Sequence, residues 1–365
     1  MYVLVVNAGS SSLKVRLLGP SDEVVGKLDL DSWQGAHETE ELANFVAGLE
    51  RVDAVGHRIV HGGTEFTAPA VIDERVRQAI AGLTELAPLH QPRGLAGIDA
   101  VADVLPGKPA VACFDTAFHA SLPDAAATYA LPKTWNERWS LRRYGFHGLS
   151  HDYASRRAAE LLGRQVTDLR LVTCHLGAGA SLAAVGEGRS LDTTMGFTPL
   201  AGLVMATRTG SVDPGLVLWL QEHAGLGADE VGEVLEHESG LAGLSGGSGD
   251  MREVIEAADA GNPAATLAFD VYIHRLRREI AAMTAALDGI DALVFTGGVG
   301  EHSPRVRAAA LAGLGYLGAV IDEGRNEQAT ADADITAAGA TVSTLVITAR
   351  EDLEIAQHTR KALTG

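Results

Sequence analysis

The chain has 365 residues, 46% of them hydrophobic, with 42 glycines and 12 prolines, which is enough apolar chain for two cores, or three at most, and excludes a disordered protein. A formal charge of −18 excludes nucleic acid and anionic membrane surfaces as partners, since both reward a basic face, and any phosphate site must be a local cluster of Arg, Lys and backbone N–H. No apolar stretch reaches the roughly 18 residues of a membrane span, no basic n-region opens the chain, and the two cysteines, Cys113 and Cys174, sit in apolar runs, as reduced buried thiols of a cytoplasmic protein do.

In chain order, the first feature is the apolar run Tyr2-Val-Leu-Val-Val6, followed by Asn7-Ala-Gly-Ser-Ser-Ser-Leu13 and Lys14. The β-branched run breaks at Gly and Ser and resumes at Leu13–Leu17, which predicts two strands joined by a tight turn. Gly9 admits a ligand close to the backbone, Ser10, Ser11 and Ser12 offer hydroxyls, and Lys14 offers a point charge. Such a turn suits phosphate oxygens without being the P-loop, whose GxxxxGK[ST] opens a helix. An ordinary polar hairpin is the competing reading.

A strand near 53–60 runs into Gly56-His57-Arg58-Ile-Val60-His61-Gly62-Gly63. An arginine at a strand end before paired glycines reads as an anion ligand, and lone histidines read as structural. A helix over 73–87 and a strand over 109–114 follow. Just after that strand, Asp115 in Cys113-Phe114-Asp115-Thr116 is either a helix N-cap or a functional carboxylate, acting as a base or toward a metal. Arg142–His151 then places His147 between an aromatic residue and a glycine, where its imidazole can reach a ligand, and Ser150 is expected to cap a helix over 150–163.

The opening hairpin has a counterpart in mid-chain: Leu171–Cys174, then His175-Leu-Gly-Ala-Gly-Ala-Ser181, then Leu182–Val185. The two turns lie nearly half the chain apart and suggest an internal duplication of one α/β unit. Further on, Arg208 sits in a short polar segment opening toward a helix near Pro214. A helix over 263–287 is expected to bury Leu267, Val271, Ile280, Met283 and Leu287. Val294-Phe-Thr-Gly-Gly-Val-Gly300-Glu301-His302-Ser303-Pro304 reads as a strand near 292–296, a glycine loop and a helix with Ser303 as N-cap. The acidic segment 322–334 reads as a solvated loop, and a last strand is expected near 342–348. Alternating strands and helices over two halves predict a two-lobed α/β fold with a cleft between lobes and a boundary near 115–150.

Together, Asn7–Lys14, Gly56–Gly63, Phe114–His119, Arg143–His151, Met195–Asp213 and Gly297–Glu301 resemble the acetate kinase family, within the superfamily of acetate and sugar kinases, heat-shock chaperones and actin. The resemblance spans nearly the whole chain. It implies two duplicated ribonuclease H-like (actin-like ATPase) domains with an interdomain cleft: residues 1–118 plus 354–365 on the acyl side, and 119–353 for nucleotide binding and dimerisation. It implies reversible phosphoryl transfer between ATP and acetate, giving acetyl phosphate and ADP, with Mg2+ or Mn2+, in a cytoplasmic homodimer.

The residue roles implied by the resemblance fall on matching positions. Arg58 and Arg208 would hold the carboxylate and the moving phosphoryl group, His147 would donate to that group, and Asp115 would orient acetate or assist the metal. Glu351 would be the main metal carboxylate, with Asn7 beside it. Val60, Leu89, Phe146 and Pro199 would wall the methyl pocket. His175, Leu176, Gly177, Ala178, Gly179 and Ser181 would line the nucleotide phosphates, Gly297, Gly298, Val299 and Gly300 the adenosine, and Ser10, Ser12 and Lys14 the first phosphate turn. A loose phosphoryl transfer needs alignment and dispersed positive charge more than covalent help, which this set supplies.

Four departures from the family's usual pattern stand out: Ala178 for Asn, His302 for Asn, Ala349-Arg350 for Thr-Asn or Thr-Asp before Glu351, and Gln91 for Asn. Ala178 and Arg350 bear on nucleotide affinity and donor identity. The chain is also some thirty residues shorter than typical members between about 20 and 52, a stretch peripheral to these residues. Alternative readings are a propionate or other short-chain acyl kinase, and a non-catalytic actin-like nucleotide switch. One methylene in an apolar pocket discriminates by only about 1–3 kcal/mol.

Overall fold

The computed structural model describes residues 1–9, 12–31, 33 and 39–365, and Ser10 of the expected phosphate turn lies outside them. The chain forms two compact units. One comprises Met1–Ala120, Phe146–Tyr153 and Arg350–Gly365; the other comprises Ser121–Gly145 and Ala154–Ala349. The segment Phe146–Tyr153 thus joins the first unit although it is remote in sequence, because the start of its helix packs on Asp115.

The first unit holds a six-stranded sheet in the order β3-β2-β1-β4-β6-β5, built from β1 (Val3–Ala8), β2 (Leu13–Leu18), β3 (Val24–Leu30), β4 (Ala54–Ile59), β5 (Ala70–Val71) and β6 (Ala110–Phe114). β1, β2 and β3 form an antiparallel meander, β4 and β6 run parallel to β1, and β5 closes the edge antiparallel. β1 is apolar on both faces because both are covered. Leu4 and Val6 pack with Leu13, Val15, Trp33 and Leu42, while Val3 and Val5 pack with Val111, Cys113, Leu149 and Ile355. Each such fully buried side chain contributes roughly 1.5–3 kcal/mol.

The second unit repeats this plan. Its strands are β7 (Arg170–Leu176), β8 (Ala180–Gly186), β9 (Arg189–Thr193), β10 (Ala292–Thr296), β11 (Ala333–Asp334) and β12 (Ser343–Val346), ordered β11-β12-β10-β7-β8-β9. Again three antiparallel strands lead into two parallel ones and an antiparallel edge. The expected duplication is therefore present strand for strand.

Several local expectations are corrected. The helix expected over 73–87 stops at Gly82, and a separate 3-10 turn covers Thr84–Leu86. The helix at Ser150 begins at Gly148, so Ser150 is a buried residue of its first turn rather than a cap. The long helix spans Pro263–Ala286, but Leu267 is 55% exposed, and Ala268, Tyr272 and Leu276 take the buried face instead. The glycine loop after β10 is a short helix, Gly297–His302. The acidic segment is ordered: Asp322 caps a helix over Glu323–Gln328, and β11 follows.

The C-terminal helix, Glu351–Thr364, lies against β1, β4 and β6 and carries an ionic cluster into the first unit. His358 Nε2 is 2.8 Å from Glu354 Oε1 and 3.7 Å from Asp152 Oδ2, and Glu354 is buried. Burial alone would lower the imidazole; hydrogen bonding to Asp152, Cys113 and Glu354 overrides it and pushes the His358 pKa up to about 11. A pKa raised on folding gives stability that is complete below the unfolded value, about 6.5, and is lost as pH rises through about 11. At neutral pH, His358→Gln should cost about 3 kcal/mol in urea unfolding by removing the positive charge beside the buried Glu354 carboxylate. The gap from the parent should narrow steadily as pH is raised from 7 to 10. A gap that stays constant with pH contradicts the ionic role.

Candidate active site

In the first unit, the carboxyl ends of three adjacent parallel strands converge, which is where open α/β sheets place their ligands. β1 ends near Asn7, β4 near Arg58, and β6 hands over to Asp115. Arg58 donates from Nε to Asp115 Oδ1 at 3.0 Å, from Nη2 to Oδ2 at 2.6 Å, and from Nη1 to Asn7 Oδ1 at 3.2 Å. Asn7 Nδ2 in turn donates to Glu351 Oε2 at 3.4 Å, and that oxygen stands 4.0 Å from Arg58 Nε. Burial opposes the charge on Arg58, but Asp115 and Glu351 outweigh it and hold the guanidinium protonated. Asp115 is therefore the bidentate partner of Arg58.

The cluster of Asn7, Arg58, Asp115 and Glu351 carries two carboxylates on one cation, a net charge of −1 among hard oxygen donors. That donor set suits a divalent cation such as Mg2+. Gly148 sets the position of His147 beside it. Its N–H donates to the Asp115 carbonyl at 2.9 Å, and a Cβ there would stand only 2.1 Å from that same oxygen. The helix can start on Asp115 only because residue 148 has no side chain. His147, at φ +57, is thereby held one residue from the Asp115 backbone.

The other first-unit residues are distributed around this cluster. Val60 and Phe146 are buried, the ring of His61 packing edge-on to Phe146 at 5.5 Å. Leu89 is exposed. Ser12 holds the first hairpin turn through its carbonyl, which accepts from Gly9 N–H at 2.7 Å. Lys14 is exposed on β2, opposite Asn7 in register.

In the second unit, His175 and Leu176 end β7, and Gly177, Ala178 and Gly179 form the turn into β8, closed by Gly177 N–H on the Gly179 carbonyl at 3.0 Å. The short helix after β10 abuts it. Gly297 has φ +77, and a Cβ there would come 2.8 Å from the Leu176 carbonyl. Glu301 Oε1 accepts from Gly297 N–H and from Ala349 N–H, both at 2.9 Å. A cavity of about 800 Å³ opens on these turns, lined by Gly177, Ala178, Gly298, Val299 and His302 among others. Ser181 and Gly300 are buried in the strand and helix that support them.

Arg208 lies in a loop that shares a wall with this cavity, because Ala206 lines the cavity and donates its N–H to the Ala178 carbonyl at 3.0 Å. The guanidinium donates to the Pro199 carbonyl at 3.0 Å and approaches Met205 Sδ at 3.7 Å. Burial pushes its pKa down, since a carbonyl and a thioether do not cancel the charge. Such a half-buried cation is an anion site in waiting.

The sequence reading missed Asp250 and Arg252, which also line the cavity. Asp250 caps its helix and takes both Nε and Nη2 of Arg252, which holds its carboxyl down to about 2. The glycine- and serine-rich run Ser245–Gly249 just before it is the signal that could have marked the site.

The acetokinase family pattern matches residues 36–357. The acetate kinase of Nostoc punctiforme is 45% identical over 98% of each chain. Among solved structures, Porphyromonas gingivalis acetate kinase matches with a TM-score of 0.91 at 37% identity over 100% of each chain. A propionate kinase from Francisella tularensis matches with a TM-score of 0.92 at 35% identity over 99% of each.

The contact at Gly148 yields a direct expectation. Gly148→Ala forces the helix start away from Asp115 and should destabilise the protein by about 1–3 kcal/mol in urea titration. Parent-like stability would mean that the helix start tolerates a side chain and does not fix His147.

Proposed function

The chain belongs to the acetokinase family and is a phosphotransferase of the acetate kinase kind, and from that premise we propose that it moves the γ-phosphoryl group of ATP reversibly onto the carboxylate of acetate. The observation that carries the reading is the division of chemistry between the units. The first gathers Arg58, Asp115, Asn7 and Glu351 at its strand ends; the second has a glycine-walled cavity and an arginine with no carboxylate bound to it.

The acceptor carboxylate is already ionised at pH 7, so no general base is required. One of its oxygens attacks the γ-phosphorus in line, and the bond from that phosphorus to the bridging oxygen breaks. ADP leaves with the electron pair, and no proton is transferred. Within its cluster Arg58 uses Nε and one N–H on each terminal nitrogen. That leaves one N–H on each terminal nitrogen for an acyl or phosphoryl oxygen. Asp115 keeps the fork of Arg58 oriented and takes up no proton.

Arg208 and His147 would bind the phosphoryl oxygens as charge spreads over them in the transition state. Glu351 and Asn7 would hold Mg2+, which when bound neutralises phosphate charge. Val60 and Phe146 would meet the methyl group from the first unit, Leu89 from the turn before its helix, and Pro199 from the loop that fixes Arg208. Gly177–Gly179 and Gly297–Gly300 would take the nucleotide, with backbone N–H groups facing phosphate. The buried, unlinked thiols of Cys113 and Cys174 suit a reducing cytoplasm.

Purified protein with ATP, Mg2+ and acetate should form acyl phosphate trapped as hydroxamate, and propionate and butyrate arms rank the acids. Arg208→Ala should lower kcat by roughly 10²-fold or more while the protein stays folded. Near-normal kcat removes Arg208 from the reaction, and no acyl phosphate with any acid rejects the reading altogether.

The reading also includes a homodimer. The helix Pro214–His223 leaves Leu216, Leu218 and Trp219 about half exposed, with Trp219 stacked on His223 at 5.1 Å. Such an apolar face is unusual on a monomer. Sedimentation should show a dimer that Leu218→Glu converts to monomer; an unchanged dimer places the contact elsewhere.

A further inference from the structure

Arg307 is the one arginine among the described residues that is fully buried, and no carboxylate hydrogen-bonds to it. It lies on the helix Pro304–Leu311. Its Nη1 donates to the carbonyls of Gly300 and Glu301, each at 2.8 Å. Its Nε donates to Asn326 Oδ1 and its Nη2 to the Asn326 carbonyl, both at 2.7 Å. Asn326 is itself buried and donates to the Pro304 carbonyl at 3.0 Å. Glu327, exposed at the surface, is the acidic group whose field reaches it, and burial still dominates.

A buried cation is ordinarily paired with a carboxylate, as Arg58 is with Asp115; Arg307, like Arg208, is held by neutral acceptors instead. Carbonyl dipoles accept four hydrogen bonds from Arg307 but leave its unit charge uncancelled. The carbonyls it holds belong to the short helix Gly297–His302, and Gly298, Val299 and His302 of that helix line the cavity. The guanidinium is therefore one hydrogen bond from the helix that walls the cavity and is not itself among the lining residues. In a chain of net charge −18, it supplies a fixed positive field that solvent screens little.

We infer that Arg307 supports nucleotide binding electrostatically, as a buried charge that attracts the phosphate groups through the Gly297–His302 wall without touching them. The inference rests on the nucleotide reading of this cavity. It makes Arg307 a supporting residue, distinct from the groups that contact the ligand. Its signature is a dependence on ligand charge: the contribution should vanish for adenosine and grow through AMP to ADP. A purely structural role in holding the wall would instead weaken all three ligands alike.

Calorimetric titration of adenosine, AMP and ADP separates these. Arg307→Met removes the charge. Asn326→Asp keeps an oxygen acceptor on Nε and neutralises the charge with a carboxylate, so it decides the matter alone if Arg307→Met fails to fold. In either variant the expected loss is under about twofold for adenosine, about fivefold for AMP and about tenfold or more for ADP. Arg307→Lys should retain the charge dependence of the parent. Equal losses across the three ligands, or no loss, overturn the inference while leaving the nucleotide reading intact. Failure of the parent itself to bind ADP overturns both.

Discussion

Arg58 and Asp115 sit at the carboxyl ends of neighbouring parallel strands, and the polar cluster of the first unit depends on that pair. The bidentate bond fixes the guanidinium plane, and it also fixes what remains free on it. Asn7 then bridges Arg58 to Glu351, so a residue near each end of the chain is tied to two in the first third. The net charge of this cluster is negative, although its central residue is a cation. A site with that balance is best completed by a divalent ion and an anionic ligand together, because either alone leaves charge unmatched.

The two units use one strand plan for opposite chemistries. At the end of β4 the first unit places Arg58, and at the corresponding end of β10 the second places Gly297. The first choice brings side-chain charge to the strand ends; the second removes a side chain so that the helix after β10 can start against the Leu176 carbonyl. Neither needs a change in sheet order, since the strand ends are fixed by pairing and only the residues after them differ. The same logic explains the glycine at 148. It lets a helix begin against a carbonyl and so places His147, which no strand end carries.

Much of this was legible in the sequence because it is local. The β1–β2 and β7–β8 hairpins show as β-branched runs interrupted by glycine, and the cap at Ser303 before Pro304 follows from its neighbours alone. What was not legible depends on contacts across the chain. Ser150 resembles a helix cap, but the helix starts two residues earlier through Gly148 and Asp115. Leu267 fits an apolar stripe, yet small residues such as Ala265 and Ala268 face the core because they let the long helix pack closely. Asp250 looks like any helix N-cap, and Arg307 looks like a solvated arginine on a short helix. The placement of Asp250 at the cavity and of Arg307 against the helix that walls it is decided by tertiary packing.

Two departures from the family's usual residues are absorbed by the fold, and a third is not. Arg350 precedes Glu351, where a new cation could compete for phosphate, but Asp352 engages its Nε and Nη2 at 2.8 and 2.9 Å. Gln91 is buried and donates to the His61 carbonyl at 2.8 Å, so its longer side chain secures the segment after β4. Ala178 has no such compensation: it offers the cavity only backbone and a methyl group. On the proposed nucleotide reading, phosphate binding at this turn would fall to its backbone N–H groups other than that of Gly177, and to nearby charges. On that proposal, the uncancelled charges of Arg208 and Arg307 would count for more in this chain than with a side-chain amide at 178.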